Sequence, residues 1–87
     1  MMKKILLVED DITFSLMMRT WLGKKGYEVE CASSVVDAKK ALLKNRFDVV
    51  LSDLRLPDYD GMELLRWMKG ESLDSVLIMM TSYADIQ

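Results

Sequence analysis

The stretch FDVVLSDLRLPDYDG, residues 47–61, decides the fold and carries the central candidate residue. Its apolar beginning, Phe47–Leu51, predicts a buried strand that runs into Ser52 and Asp53. The turn-forming residues of 56–61 predict a loop directly after it. Asp53 therefore stands at the carboxyl end of a buried strand, which is where α/β sheets place their ligands.

The same alternation of short apolar runs and amphipathic stretches extends through the rest of the chain. Strands are predicted at Lys4–Val8, Tyr27–Ala32, Phe47–Leu51 and Val76–Met80. Helices are predicted over Ile12–Lys25 with Gly26 as the C-terminal cap, from Ser34 with its capping partner Asp37, and from Asp60 with Glu63 to Gly70. The order β-α-β-α-β-α-β predicts an α/β fold with a parallel sheet and right-handed crossovers.

Side chains for the core follow from the helical stripes. The first helix is predicted to bury Phe14, Met17, Met18, Trp21 and Leu22. The second is predicted to place Val35, Ala38, Leu42 and Leu43 on one face, and the third Leu64, Leu65 and Met68.

Composition favours a soluble globular domain. Of the 87 residues, 51% are hydrophobic and 30% are charged, which argues against disorder. The net charge of −2 indicates no surface for nucleic acid. The longest apolar run, Val76–Met80, is too short to cross a bilayer, and no signal peptide is indicated. The single cysteine, Cys31, fits a reducing cytoplasm, and the absence of histidine excludes an internal histidine relay.

Acidic and hydroxyl side chains follow three of the predicted strands. Glu9 and Asp10 follow the first strand, Asp53 ends the third, and Thr81 and Ser82 follow the fourth. In a parallel sheet of order 2-1-3-4 these strands are neighbours, so the side chains converge on one crevice. Packed carboxylates repel one another unless a hard cation is present, and Mg²⁺ prefers such oxygen ligands. This arrangement predicts a Mg²⁺ site beside a carboxylate nucleophile for a phosphoryl group.

Each residue taken alone has a simpler interpretation. Asp53 could cap a helix or a turn, and Thr81 could be an ordinary hydroxyl at a strand end. The acidic run after the first strand could be solvated and favour the next helix through its dipole. Convergence on neighbouring strands favours the functional interpretation, because caps have no reason to meet. Asp11 is predicted to be only a cap or a first-turn residue.

Three segments resemble the receiver domains of bacterial response regulators in two-component signalling. They are ILLVEDD at 5–11, DVVLSDLRLPDYDG at 48–61 and VLIMMTSYAD at 76–85. The second and third look most like the receivers attached to sigma-54-type activators. The resemblance implies a flavodoxin-like doubly wound fold with sheet order 2-1-3-4 and helices on both faces.

Roles at individual positions follow from this resemblance. Asp53 looks like the phosphoryl acceptor, and Asp10 like a direct Mg²⁺ ligand. Glu9 looks like the acidic neighbour that acts through water. The backbone carbonyl of Arg55 matches the third protein ligand, and Thr81 matches the hydroxyl that contacts the phosphoryl group.

The function implied is that of a cytoplasmic phosphoacceptor switch in transcription regulation, not of an independent enzyme. Members of the family receive a phosphoryl group from a histidine kinase, and they catalyse their own phosphotransfer and dephosphorylation. The expected partners are that kinase and an output domain, with no membrane and no direct contact with nucleic acid.

Two alternatives belong to other classes. A pseudo-receiver would keep the fold as an interaction module without phosphorylation. A phosphohydrolase with a nucleophilic aspartate usually needs a second acid two residues later, where this chain has Arg55.

One departure from the family concerns the end of the chain. The family places a phosphate-pairing lysine and a switch aromatic on a fifth strand, whereas this sequence stops at Gln87. We expect residues 1–87 to be a single receiver domain cut short before that strand. The exposed edge at Val76–Met80 would then favour a homodimer or a higher oligomer.

Overall fold

A computed structural model describes residues 3–80. The strands are β1 (Lys4–Val8), β2 (Glu28–Ala32), β3 (Val49–Asp53) and β4 (Val76–Met80). The helices are α1 (Ile12–Lys24), α2 (Val35–Lys44) and α3 (Gly61–Gly70). The predicted element order is confirmed, and β1 and β4 have the predicted bounds.

The strands form one parallel sheet in the order β2-β1-β3-β4. All three pairings are parallel, and Val8 of β1 lies opposite Ser52 of β3. The predicted topology is therefore confirmed. Because the strands run in the same direction, their carboxyl ends lie along one edge of the sheet.

Local capping groups set where the three helices begin. The side chains of Asp11, Ser34 and Asp60 each accept hydrogen bonds from backbone N–H groups in the first turn of α1, α2 and α3. These contacts satisfy donors that a helix leaves unpaired at its N-terminus. After α1, Gly26 adopts a φ of 96°, which a residue without Cβ tolerates best.

The main core lies between the sheet and the two helices α2 and α3. Its fully buried members include Leu6, Val8, Val35, Phe47 and Leu64. Strand β1 is buried almost throughout, as its uninterrupted apolar run predicts. Since alternate residues of a strand point to opposite faces, Ile5 and Leu7 of β1, which are also buried, lie on the other face of the sheet.

The burial of α1 differs from the prediction. Its buried residues are Ser15 and Leu22, whereas Met17 and Trp21 are 58% and 54% exposed. Phe14 and Met18, also predicted for the core, are only partly buried. The cause is that α1 carries apolar side chains around most of its circumference, so periodicity alone could not identify the face that contacts the sheet.

Three smaller predictions also need correction. Strand β3 begins two residues later than predicted and includes Asp53 as its last residue. In α2, Ala41 is buried and Leu43 is 69% exposed, because the buried stripe follows positions 35, 38, 41 and 42. Strand β4 was predicted to be buried, but Val76 and Ile78 are 59% and 48% exposed.

The two faces of β4 differ in their surroundings. Leu77 packs against the main core, whereas Val76 and Ile78 point away from it. Within residues 3–80, β4 pairs only with β3, so its other edge carries backbone groups with no strand partner in this range.

Candidate metal centre

The register of the two central strands brings the acidic residues together. Val8 and Ser52 are opposite each other in the β1–β3 pair, so Glu9 and Asp53 are the next residues along the two strands. The backbone N–H of Glu9 donates to the carbonyl of Ala32 at 2.9 Å, which fixes the end of β1 to β2. The predicted convergence thus results from backbone pairing and requires no contact between the side chains themselves.

Carboxylate oxygens of Glu9, Asp10 and Asp53 all lie within 4.8 Å of one another. Glu9 is buried, Asp53 is partly buried and Asp10 is exposed, so the group extends from the sheet edge to the surface. Three carboxylates at this separation repel one another when all are ionised. Either a proton or a cation must relieve that repulsion.

The crowding of carboxylates is reflected in the pKa of Glu9. The pKa of Glu9 is raised from 4.5 to about 7, mainly by burial of its side chain and in part by the carboxyl groups of Asp53 and Asp10. The backbone N–H of Asp11 donates to Glu9 Oε2 at 3.0 Å, which favours the charged form and partly opposes the shift. Near neutral pH and without a cation, Glu9 therefore holds a proton in an appreciable fraction of molecules.

Local hydrogen bonds orient Asp53. Its Oδ1 accepts from the backbone N–H of Arg55 at 3.2 Å, and its carbonyl oxygen accepts from the hydroxyl of Ser52 at 3.0 Å. The backbone N–H of Leu54 donates to the carbonyl of Met80 at 2.9 Å, so the chain stays attached to β4 beyond Asp53. These contacts hold the carboxylate at the sheet edge.

The remaining predicted site residues have different outcomes. Arg55 lies two residues beyond the end of β3, and its backbone pairs with Asp60 in an isolated antiparallel bridge. Asp11 caps α1 by accepting from the N–H of Phe14, as predicted, and is not a member of the acidic group. The predicted hydroxyl residue Thr81 lies outside the described residues.

The sequence predicted for Gly61 only a place in a turn and helix entry, with no chemical role, and the structure shows why this position is constrained. A Cβ atom there would lie 2.7 Å from the carbonyl oxygen of Asp53 and 2.7 Å from Sδ of Met79. Real Cβ atoms do not approach backbone oxygens so closely, so α3 can begin against the end of β3 only if this residue is glycine. A glycine that follows a strand and a short loop was the available signal.

A second residue without a predicted role is Asp58. It was interpreted only as a turn former, yet its carboxylate accepts from the backbone N–H groups of Val35 and Val36 at 3.0 and 2.9 Å. Burial acts to raise the pKa of Asp58, but the backbone donors outweigh it and lower the pKa below 3.8. No local pattern reports a contact between residues so far apart in sequence.

The donor set of the acidic group fits Mg²⁺. All three side chains offer carboxylate oxygens, and no thiol or imidazole ligand is present among them. Mg²⁺ binds oxygen ligands and is usually held by one or two carboxylates while it retains several waters. Asp10 is exposed, so the acidic group is open to solvent on that side. Within residues 3–80, none of the helices has both the length and the apolar character needed to cross a bilayer.

Comparison with known proteins gives consistent matches along nearly the whole chain. The sporulation initiation phosphotransferase F of Bacillus subtilis (strain 168) is 33% identical over 86 residues, covering 99% of this chain and 69% of its own length. The transcriptional regulatory protein CrdR of Helicobacter pylori is 36% identical, with 98% and 40% covered. The regulatory protein AtoC of Escherichia coli (strain K12) is 32% identical, but the chain spans only 18% of its length.

Solved structures agree with this. The response regulator protein TrrA from Thermotoga maritima, in complex with Mg²⁺ and BeF, superposes with a TM-score of 0.89 at 27% identity, covering 99% of this chain and 75% of TrrA. The MaeR response regulator bound to beryllium trifluoride gives 0.86 at 31% identity, with 93% and 68% covered. Residues 5–87 match the family described as the response regulator receiver domain. With the sheet order, the acidic group at its edge and this match, the chain belongs to the receiver domain family of response regulators.

Proposed function

We propose that residues 1–87 form one receiver unit that accepts a phosphoryl group on Asp53 from a histidine kinase, with Mg²⁺ bound by the acidic group. The observation that carries this proposal is the position of Asp53 at the end of β3, with Glu9 and Asp10 within 4.8 Å. Phosphorylation would change the conformation and so control an output domain in a longer regulator.

In this proposal Asp53 is the nucleophile of the phosphoryl transfer. The ionised carboxylate of Asp53 attacks phosphorus, a new oxygen–phosphorus bond forms, and the bond between phosphorus and the donor breaks. The product is an acyl phosphate, which is a mixed anhydride and hydrolyses readily. Before the reaction, the hydrogen bond that the backbone N–H of Arg55 donates to Asp53 Oδ1 holds the attacking carboxylate in place.

The metal ligands would be Asp10 and Asp53 directly, the backbone carbonyl of Arg55, and Glu9 through a water molecule. When held by these residues, Mg²⁺ would supply positive charge beside the phosphoryl oxygens. Cation binding also requires Glu9 to lose its proton, which couples metal affinity to pH near the raised pKa of about 7. The hydroxyl of Thr81 is proposed to contact the phosphoryl group.

A small phosphodonor tests this proposal directly. Acetyl phosphate with Mg²⁺ should add one phosphoryl group, and borohydride trapping followed by mass spectrometry should locate it at Asp53. Asp53→Asn should abolish the modification, whereas Asp74→Asn, at an exposed aspartate of the loop before β4, should leave it intact. Modification that persists in Asp53→Asn would show that the acceptor is another residue.

A further inference from the structure

The loop between β3 and α3, residues 54–60, is closed at its base. The backbone N–H of Gly61 donates to the carbonyl of Leu54 at 2.6 Å, and Arg55 and Asp60 form the antiparallel bridge next to that contact. This pairing holds the two ends of the loop together, so that residues 56–59 form its tip. The proposed ligand carbonyl of Arg55 lies in the segment that leads into the tip.

The tip is attached to α2 by Asp58. Its Oδ1 accepts from the N–H of Val35 at 3.0 Å, and its Oδ2 accepts from the N–H of Val36 at 2.9 Å. These are the first two N–H groups of α2, which a helix cannot satisfy itself. The local cap, Ser34, accepts from the third, Asp37, at 3.1 Å. Asp58 thus supplies the two acceptors that the local cap of α2 does not.

A second contact holds the residue next to Asp58. Nζ of Lys39, on α2, lies 5.8 Å from the centre of the Tyr59 ring and 5.7 Å from that of Trp67 on α3. Both distances are within the range of cation–π attraction. Two consecutive residues of the loop tip are therefore bound to α2, by different kinds of interaction.

We propose that Asp58 is a positioning residue of the phosphorylation site, which it serves by fixing the loop tip to α2 and so aiming the carbonyl of Arg55. This inference rests on the proposed function, because it assumes that this carbonyl is a Mg²⁺ ligand. A loop that is held both at its base and at its tip has fewer conformations to lose when the metal binds. Mg²⁺ demands near-ideal octahedral geometry, so a small rotation of one carbonyl weakens its binding.

Three variants of the 87-residue chain separate positioning from stability. Asp58→Ala removes both acceptors, and Asp58→Asn keeps one oxygen. Ser34→Ala is the matched control, because it also removes a cap of the same helix terminus but lies outside the loop. For each variant, NMR titration with MgCl₂ gives the Mg²⁺ affinity, and urea denaturation gives the stability.

We expect Asp58→Ala to bind Mg²⁺ about three- to tenfold more weakly than the unmodified chain does. This decrease is at or below the low end of the range found when residues that orient metal ligands are replaced. Asp58→Asn should lie in between, and Ser34→Ala should change the affinity by less than about twofold, since residues that touch neither the ligands nor their loop act mainly on stability. In metal-free spectra, the amide signal of Arg55 should shift in Asp58→Ala but not in Ser34→Ala.

The results that would overturn this inference are distinct from those that would overturn the metal site. If the unmodified chain binds Mg²⁺ and Asp58→Ala binds it as tightly as Ser34→Ala does, Asp58 is only a helix cap. Should Asp58→Ala fail to fold, the comparison of Asp58→Asn with Ser34→Ala decides in the same way. If the unmodified chain binds no Mg²⁺ at all, the ligand assignment falls and the positioning role falls with it.

Discussion

Replacing Glu9 by glutamine should stabilise the metal-free chain at neutral and alkaline pH. The pKa of Glu9 is raised from 4.5 to about 7, mainly by burial and in part by the carboxyl groups of Asp53 and Asp10. Unfolding returns the carboxyl to water and to its ordinary pKa. Between these two values the folded chain binds more protons than the unfolded chain, so its stability falls as the pH rises. Glutamine cannot ionise, but it keeps an oxygen that can accept from the N–H of Asp11.

The pKa shift sets the size of the effect. The difference between 7 and 4.5, at about 1.36 kcal/mol per pH unit, gives an upper value of about 3.4 kcal/mol. Glu9 interacts with two neighbouring carboxylates, one of which is exposed to solvent, so the realised difference should be smaller. We expect Glu9→Gln to be about 1–3 kcal/mol more stable than the unmodified chain above pH 7 and nearly equal to it below pH 4.5.

Urea denaturation in EDTA at several pH values measures this difference. Glu71→Gln is a suitable control, because Glu71 is exposed at the end of α3 and its charge should matter little. Added Mg²⁺ should make the unmodified chain the more stable of the two. The cation offsets the negative charge of an ionised Glu9, whereas glutamine carries no charge for it to offset. If the unmodified chain and Glu9→Gln show the same dependence of stability on pH, the burial of Glu9 carries no electrostatic cost and the reasoning fails.

Three other experiments should have equally specific results. Gly61→Ala should cost about 1–3 kcal/mol of unfolding free energy, because its Cβ meets a backbone oxygen, whereas Gly70→Ala, where a Cβ meets nothing within 4 Å, should not destabilise the chain in thermal denaturation. Asp10→Ala should weaken Mg²⁺ binding in an NMR titration far more than Asp11→Ala, and equal effects would contradict the ligand assignment. Light scattering over a dilution series should show self-association through the apolar edge and face of β4, and a monomer that unfolds cooperatively at micromolar concentration would contradict it.

Features that depend on short segments could be predicted from the sequence. The apolar run of β1 is bounded by charged residues, and Asp11, Ser34 and Asp60 are local caps, so neighbouring residues alone determine these elements. The acidic group was also predictable, because parallel topology fixes which strand ends are adjacent. Once Val8 lies opposite Ser52, Glu9 must lie near Asp53 whatever the other side chains are.

Features that depend on tertiary packing could not be predicted in this way. Helix α1 offers apolar side chains on several faces, and the sheet selected the face of Ser15 and Leu22 over that of Met17 and Trp21. The contact of Asp58 with α2 joins residues 22 and 23 positions apart. Its carboxylate resembles that of any turn former until the helix terminus that it satisfies is known.

Asp58 and Glu9 lie in opposite electrostatic environments, and this difference has a consequence for metal binding. Backbone donors outweigh burial and lower the pKa of Asp58, so its charge stabilises the fold at every pH above 3.8 and is lost only as the pH falls through the lowered value. Burial raises the pKa of Glu9, so its charge destabilises the fold unless a cation is bound. The loop that carries Arg55, a proposed ligand, is therefore anchored by Asp58 independently of a metal, whereas the acidic group is favoured only when it holds a proton or a cation. A site built in this way gains most from Mg²⁺ where its own carboxylates repel one another, and it does not depend on the metal to hold its loop.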